Sequence, residues 1–333
     1  MHYFISYKFT NVDVAVLHNF IDPIVELMKS YGHSVFCNLY YDDIYKENNY
    51  TPKQIMEHCF SEINKSDILF VLVDGIFGCG MGIEYGYAKC LNKKIVLCKN
   101  IDVTSAEWLS DIVIEYIEKD TITANIQKYL EMEKYVKYYI DVNSKRVSEN
   151  MKICDIDLFV DGHIFSPNPE ITIASKIVLD KLKRINCNSK SVLDMGCGTG
   201  ILGMYCLENG SKVDFTDINE VALKNTEINV SKYSNYSITK SDLFENIHES
   251  YDIILFNLPI CQEVWNMDVI GMFDRFYIEV LMHLNTDGIA MNVFATFGNI
   301  CVIRKLLNKY KFNYTEEITQ WSNVDWSLFC ISK

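Results

Sequence analysis

Ten residues, Ser191-Val-Leu-Asp194-Met-Gly196-Cys-Gly198-Thr-Gly200, read as a buried strand that ends in an acid and turns through three glycines into a helix. Glycines there let a ligand approach the backbone closely, and the free N–H groups of a helix start can point at it. A glycine turn alone also suits a dinucleotide, but the groups that follow narrow the choice. Asp217 closes the next strand, where a carboxylate can grip both hydroxyls of a ribose. Asp242, in Ser241-Asp242-Leu243-Phe244, follows a third strand, where an acid can reach an adenine amino group. The fourth strand delivers Asn257-Leu258-Pro259-Ile260.

A second constellation lies earlier in the chain. Asp67-Ile-Leu-Phe-Val-Leu-Val-Asp74-Gly75 is a buried strand ending in Asp74, followed by Gly80-Met-Gly82-Ile-Glu84, with Glu84 in the first turns of a helix. The ends of parallel strands are where such sheets bind ligands. A carboxylate there suits displacement at a sugar anomeric carbon, as nucleophile or as stabiliser of oxocarbenium charge.

The elements that must carry these residues alternate. Strand-like runs at 1–9, Ser34–Cys37, Asp67–Val73 and Lys94–Cys98 are interleaved with helical patterns at Val14–Lys29, Pro52–Asn64 and Gly82–Leu91, and Ala106–Leu130 reads as a closing helix. Glu131–Lys145 is the linker candidate and could equally begin the next domain. From Ile171 the alternation restarts, with strands at Ser191–Met195, Lys212–Thr216, Tyr251–Asn257 and Gly288–Phe294 and two final strand-like runs, Phe312–Gln320 and Asp325–Ser332. Continuous apolar strands between helices predict parallel sheets covered on both faces. The chain's 333 residues allow two such domains, divided as 1–133 and 134–333.

Charge and cysteine usage bound the function. The chain holds 31 Lys+Arg against 44 Asp+Glu, net −13. Residues 1–133 account for 11 and 19 of these, net −8, leaving 20 and 25, net −5, for the rest. That sign is wrong for neutralising a long phosphate backbone, so small substrates and no nucleic-acid polymer are expected. No Arg precedes Arg146, so an N-terminal site must hold any phosphate without a guanidinium fork. Twelve cysteines without a C-x-x-C pair read as reduced thiols of a cytoplasmic protein. No metal-ligand cluster, membrane span or secretion signal is expected, and a homo-oligomer is compatible with the pattern.

Over residues 150 to 333 the landmarks resemble those of the class I S-adenosylmethionine-dependent methyltransferases, including the lead-in Asp161–Thr172 (DGHIFSPNPEIT), with Phe165 in an F-x-P segment. The resemblance implies that Asp194, Gly196, Gly198, Asp217, Asp242 and Asn257 hold S-adenosylmethionine, and that Asn257, Pro259 and Phe165 face the methyl acceptor. The family's acceptor tetrapeptide is Asn/Asp-Pro-Pro-aromatic; here Leu258 and Ile260 replace the second-position proline and the aromatic, so nitrogen, oxygen and carbon all stay open as accepting atom.

Residues 1 to about 130 resemble the nucleoside 2-deoxyribosyltransferases, with a G-x-G-x-E spelling close to the nucleoside 5′-monophosphate N-hydrolases. This implies Glu84 as catalytic carboxylate, Asp74 and Tyr3 beside it, and Ser6, Lys8, Gly80 and Gly82 lining the substrate. Together the resemblances imply two doubly wound α/β domains in series: a flavodoxin-like or Rossmann-like parallel sheet, then a Rossmann-like methyltransferase sheet ending in an antiparallel strand pair. They imply a bifunctional enzyme that methylates a nucleoside, nucleotide or free base, with a pyrimidine favoured, and cleaves or exchanges its N-glycosidic bond. The alternatives are a methyltransferase with a non-catalytic nucleotide-binding module, or one acting on RNA, DNA or protein.

Overall fold

A computed structural model of the protein describes residues 1–9, 12–257 and 268–333. The chain divides into two compact units, Met1–Glu133 and Lys134–Lys333.

The first unit is a five-stranded parallel sheet in the order β2-β1-β3-β4-β5, made of β1 (His2–Tyr7), β2 (Ser34–Cys37), β3 (Ile68–Val73), β4 (Lys94–Lys99) and β5 (Ile112–Glu115). All six residues of β3 are buried, as a central strand covered on both faces requires. The helices are α1 (Val14–Ser30), α2 (Asp42–Glu47), α3 (Pro52–Lys65), α4 (Cys79–Cys90) and α5 (Thr104–Leu109). Their starts have local causes. Asp13 accepts the Ala15 N–H at the head of α1, and Thr51 with Gln54 forms a capping box at the head of α3, where Pro52 takes the first turn.

Two expectations fail here. The closing helix Ala106–Leu130 is interrupted by β5, because Ile112-Val-Ile is a β-branched run that pairs with Val96–Cys98. The linker candidate Glu131–Lys145 is helical almost throughout, since it continues α6 (Ile122–Ser144). Its charged residues mask a stripe of buried Met132, Tyr135, Val136 and Tyr139 at helical spacing.

The second unit holds a seven-stranded sheet in the order β10-β9-β8-β11-β12-β14-β13. Its strands are β8 (Ser191–Met195), β9 (Lys212–Asp217), β10 (Tyr236–Lys240), β11 (Tyr251–Phe256), β12 (Leu284–Ala295), β13 (Asn313–Trp321) and β14 (Val324–Ser332). The first five in space are parallel, and β14 runs antiparallel to both β12 and β13, so the sheet ends in the expected antiparallel pair. Around it lie α7 (Ala174–Leu182), α8 (Ile201–Glu208), α9 (Glu220–Val230), α10 (Val269–Glu279) and α11 (Ile300–Lys309). Strand order reverses between β8 and β11, and ligands bind such sheets outside the carboxyl ends of the strands at that point.

A hairpin precedes this sheet, formed by β6 (Glu149–Ile153) and β7 (Ile156–Val160). Its two turn residues, Cys154 and Asp155, have φ of 49° and 68°, the left-handed pair of a tight hairpin turn. A Cys-Asp turn lacks the usual Asn-Gly spelling, so the local sequence does not announce this hairpin.

Candidate active site

The glycine turn after β8 is built by backbone conformation. Gly196, Gly198 and Gly200 have φ of 65°, 55° and 77°, a region L side chains rarely adopt. A Cβ at Gly200 would also lie 2.9 Å from Thr226 Cγ2. One turn on, a Cβ at Gly203 would lie 2.2 Å from Phe215 Cε1, so α8 rests directly on β9.

Asp194 is buried, and its Oδ2 accepts the Gly203 N–H at 2.9 Å. Burial pushes its carboxyl up to about 7, against the pull of that hydrogen bond. Asp217, at the end of β9, accepts the Gly198 N–H on Oδ2 at 3.1 Å and the Asn219 N–H on Oδ1 at 2.9 Å. Burial raises its pKa as well. Each of its oxygens keeps a lone pair for a further donor. Asp242 follows β10, and Asn257, just past β11, donates through Nδ2 to Ser175 Oγ at 3.2 Å.

These residues share one cavity of about 720 Å³, whose lining includes Phe165, Asp194, Gly196, Gly198, Asp217, Asp242 and Asn257. Every donor-site residue expected from the sequence is thus brought to one place. Pro259 lies outside the described residues. The cavity also takes in groups the sequence reading did not nominate, namely Ser175, Asp268 and Arg275. Asn225 and Asn229 of α9 were missed too. Asn225 Oδ1 accepts the Asp161 N–H at 2.7 Å, and Asn229 Oδ1 accepts the Phe159 N–H at 2.7 Å. Asn229 Nδ2 donates to Thr199 O at 2.9 Å and to Phe159 O at 2.8 Å. They clamp β7 and the segment leading to Phe165 over the glycine turn.

The donor set fits S-adenosylmethionine. A pair of carboxylates at successive strand ends can take a ribose diol and an adenine amino group, and a lining with four Asp against Arg275 suits a ligand bearing a sulfonium and an ammonium.

In the first unit, Ser6 Oγ donates to Glu84 Oε2 at 2.6 Å. Both are buried, and burial pushes Glu84 up to about 7 despite hydrogen bonds from Ser6 and Cys59. Lys8 runs beside the head of α4, where a Cβ on Gly78 would meet its Cγ at 3.6 Å. Gly80 faces open space, and a Cβ on Gly82 would touch Phe77 at 3.5 Å. The other nominees point elsewhere. Tyr3 is fully buried with its hydroxyl 3.4 Å from that of Tyr129. Asp74 accepts from Asn100 Nδ2 at 2.9 Å and from the Tyr116 hydroxyl, and it is ion-paired with Lys119.

Comparison with known proteins decides the family of the second unit. The family described as "Methyltransferase small domain" matches residues 155–321, just over half of the chain. The chain belongs to the methyltransferase small domain family. Among curated relatives of this methyltransferase, it is 26% identical over 122 residues to ribosomal RNA small subunit methyltransferase C of Actinobacillus pleuropneumoniae, covering 36% of this chain and 37% of that protein. It is 34% identical over 117 residues to histidine protein methyltransferase 1 homolog of Dictyostelium discoideum, covering 32% and 35%. It is 41% identical over 96 residues to ribosomal protein L11 methyltransferase of Ruminiclostridium cellulolyticum, covering 27% and 29%. The chain thus spans about a third of the length of these relatives. S-adenosylmethionine is the cofactor of this methyltransferase.

The expectation of a small-molecule partner and no nucleic-acid polymer is corrected by these relatives, which are named for methylating ribosomal RNA, a ribosomal protein and protein histidine. Net charge misled because it averages over a whole surface, whereas an acceptor meets one patch. The methyltransferase family match begins only at residue 155 and shows nothing of a nucleoside deoxyribosyltransferase in residues 1–133. The eleven cysteines among the described residues are free thiols, and no helix among them is long and apolar enough to cross a membrane. No metal-binding cluster occurs among the described residues.

Proposed function

We propose that the second unit, residues 134–333, transfers the methyl group of S-adenosylmethionine to an N–H-bearing atom of a macromolecule, with a protein side chain as the acceptor class. The observation that carries this reading is the placement of Asn257 in the same cavity as Asp194, Asp217 and Asp242. Its Nδ2 is engaged by Ser175, which leaves Oδ1 to accept a hydrogen from an acceptor nitrogen. Two of the three relatives described above are named for methylating proteins and one for methylating ribosomal RNA, which favours a protein acceptor.

S-adenosylmethionine, when bound, supplies an electrophilic methyl on a positively charged sulfur. The chain's work is positioning. Asp217 grips the ribose hydroxyls, Asp242 takes the adenine amino group, the glycine turn allows close approach, and Asn257 aligns the accepting nitrogen. The test uses methyl-tritiated S-adenosylmethionine and an extract of cells lacking this protein. Label that protease removes and ribonuclease leaves is the expected result. Ribonuclease-sensitive label would move the acceptor to RNA, and no transfer to either would overturn the reading.

A second activity is proposed for residues 1–133 on the strength of the buried Ser6–Glu84 pair. A carboxyl raised to about 7 beside a hydroxyl suits cleavage or exchange of an N-glycosidic bond, with Glu84 as nucleophile. The free cysteines fit a cytoplasmic protein.

A further inference from the structure

We infer that Arg275 is a positioning residue for the adenine of the methyl donor, acting through Asp242. The inference rests on the donor site proposed above and adds to it a group that sets adenine selectivity.

Arg275 is the one Lys or Arg among the described residues that line the cavity. Its Nη2 donates to Asp242 Oδ2 at 2.8 Å. Asp242 Oδ1 accepts no hydrogen bond among the described residues, so one oxygen of the carboxylate is held and the other is available to a ligand. The backbone around Asp242 is already fixed. Leu243 takes a φ of 51°, and Ser241 Oγ donates to Leu243 O at 2.8 Å while accepting the Asn246 N–H at 3.0 Å. What remains free in Asp242 is the rotation of its side chain, and the Arg275 bond removes it.

The helix carrying Arg275 is anchored on both sides of the site. Phe276, its neighbour in α10, stacks on Phe256 of β11 with ring centroids 4.0 Å apart. It also stacks on Phe244, two residues past Asp242, at 5.6 Å. The guanidinium therefore approaches Asp242 from a helix packed against both the strand before Asn257 and the turn holding Asp242.

The chemistry that follows is selective. The 6-amino group of adenine donates hydrogens to a carboxylate oxygen, whereas the 6-oxo group of hypoxanthine presents a second acceptor and is repelled. That discrimination requires an ionised carboxylate held in one orientation. With Arg275 absent, the side chain of Asp242, which is 38% exposed, turns toward water and the distinction fades. The ion pair itself contributes little to stability, because both partners are partly exposed. Its role is orientation.

The test is calorimetric and needs no methyl acceptor. S-adenosylhomocysteine and its 6-oxo analogue S-inosylhomocysteine are titrated into the full chain and into Arg275→Met and Arg275→Lys. The full chain is expected to prefer the adenine compound by at least about tenfold, the scale of one hydrogen bond to a charged group. Arg275→Met should bring that ratio close to one, with a thermal midpoint near that of the parent, and Arg275→Lys should restore part of it. The inference is overturned if Arg275→Met keeps the parent's ratio, if it weakens both ligands equally, or if the parent does not discriminate. A parent chain that binds neither compound overturns the donor site itself, which separates the two failures.

Discussion

Replacing Asp194 with asparagine tests the electrostatics of the donor cleft most directly. The side chain is 2% exposed, and burial pushes its carboxyl from 3.8 up to about 7. A folded-state pKa above the unfolded one means that the native protein holds the proton more tightly than the unfolded chain does. Stability from this group is therefore fully present below about pH 4 and is lost as pH rises through about 7. At about 1.4 kcal/mol per pKa unit, the raised pKa costs the free protein about 4 kcal/mol at pH 8, where Asp194 is ionised, and about 1.6 kcal/mol at pH 5, where the native state keeps the proton that the unfolded chain has lost. Asparagine retains an oxygen for the Gly203 N–H and carries no charge. The stability of Asp194→Asn relative to the parent should accordingly rise by about 2–3 kcal/mol between pH 5 and pH 8. Urea unfolding followed by tryptophan fluorescence measures this, with Trp108 changed to Phe in both chains so that the signal comes from residues 134–333 alone, where the other three tryptophans lie. An equal difference at the two pH values would refute the reasoning. The functional counterpart is that affinity of the parent for the cationic donor increases with pH through about 7, whereas the asparagine variant shows a weaker dependence, carried by Asp217.

Asp217→Ala should abolish binding of S-adenosylmethionine in calorimetry while leaving the circular dichroism spectrum unchanged, and unaltered affinity would remove Asp217 from the donor site. Asn229→Ala strips the side-chain partner from the Phe159 N–H and from the Thr199 carbonyl and leaves the Phe159 carbonyl with Asn225 Nδ2 alone. It should cost about 2–4 kcal/mol in urea unfolding, and a loss below about 0.5 kcal/mol would mean the clamp on β7 does not hold it. For the first unit, release of free base from nucleosides or oligonucleotides should rise with pH through about 7 as Glu84 ionises, and vanish in Glu84→Ala. Base release that persists in Glu84→Ala would end the N-glycosidic reading.

What the sequence made legible, and what it hid, follows from the range of the interactions. A central parallel strand is buried on both faces, so runs such as Ile68–Val73 and Tyr251–Phe256 announce themselves without knowledge of their neighbours. The acids at strand ends and the glycines after Asp194 are equally local, because a positive φ is demanded by the chain's own turn. The partners of those acids are another matter. Arg275 stands 33 residues from Asp242, Ser175 stands 82 from Asn257, and Asn229 stands 70 from Phe159, so tertiary packing alone pairs them. Tyr3 and Asp74 fail to gather around Glu84 for the same reason. Asp74 does end β3 at a ligand-binding edge, but Asn100, Tyr116 and Lys119 hold its carboxylate; Tyr3, nominated by resemblance, sits at the amino end of β1 opposite Ile68, and Tyr129 draws its hydroxyl into the core. Ser6 does reach Glu84, because a parallel sheet brings the end of β1 next to β3 and hence under the helix that β3 leads into. The dividing line therefore runs between what backbone conformation imposes on one segment and what a side chain finds across the fold. The acceptor lies furthest across that line: net charge spoke for a small molecule, and the choice belongs to the surface around Asn257.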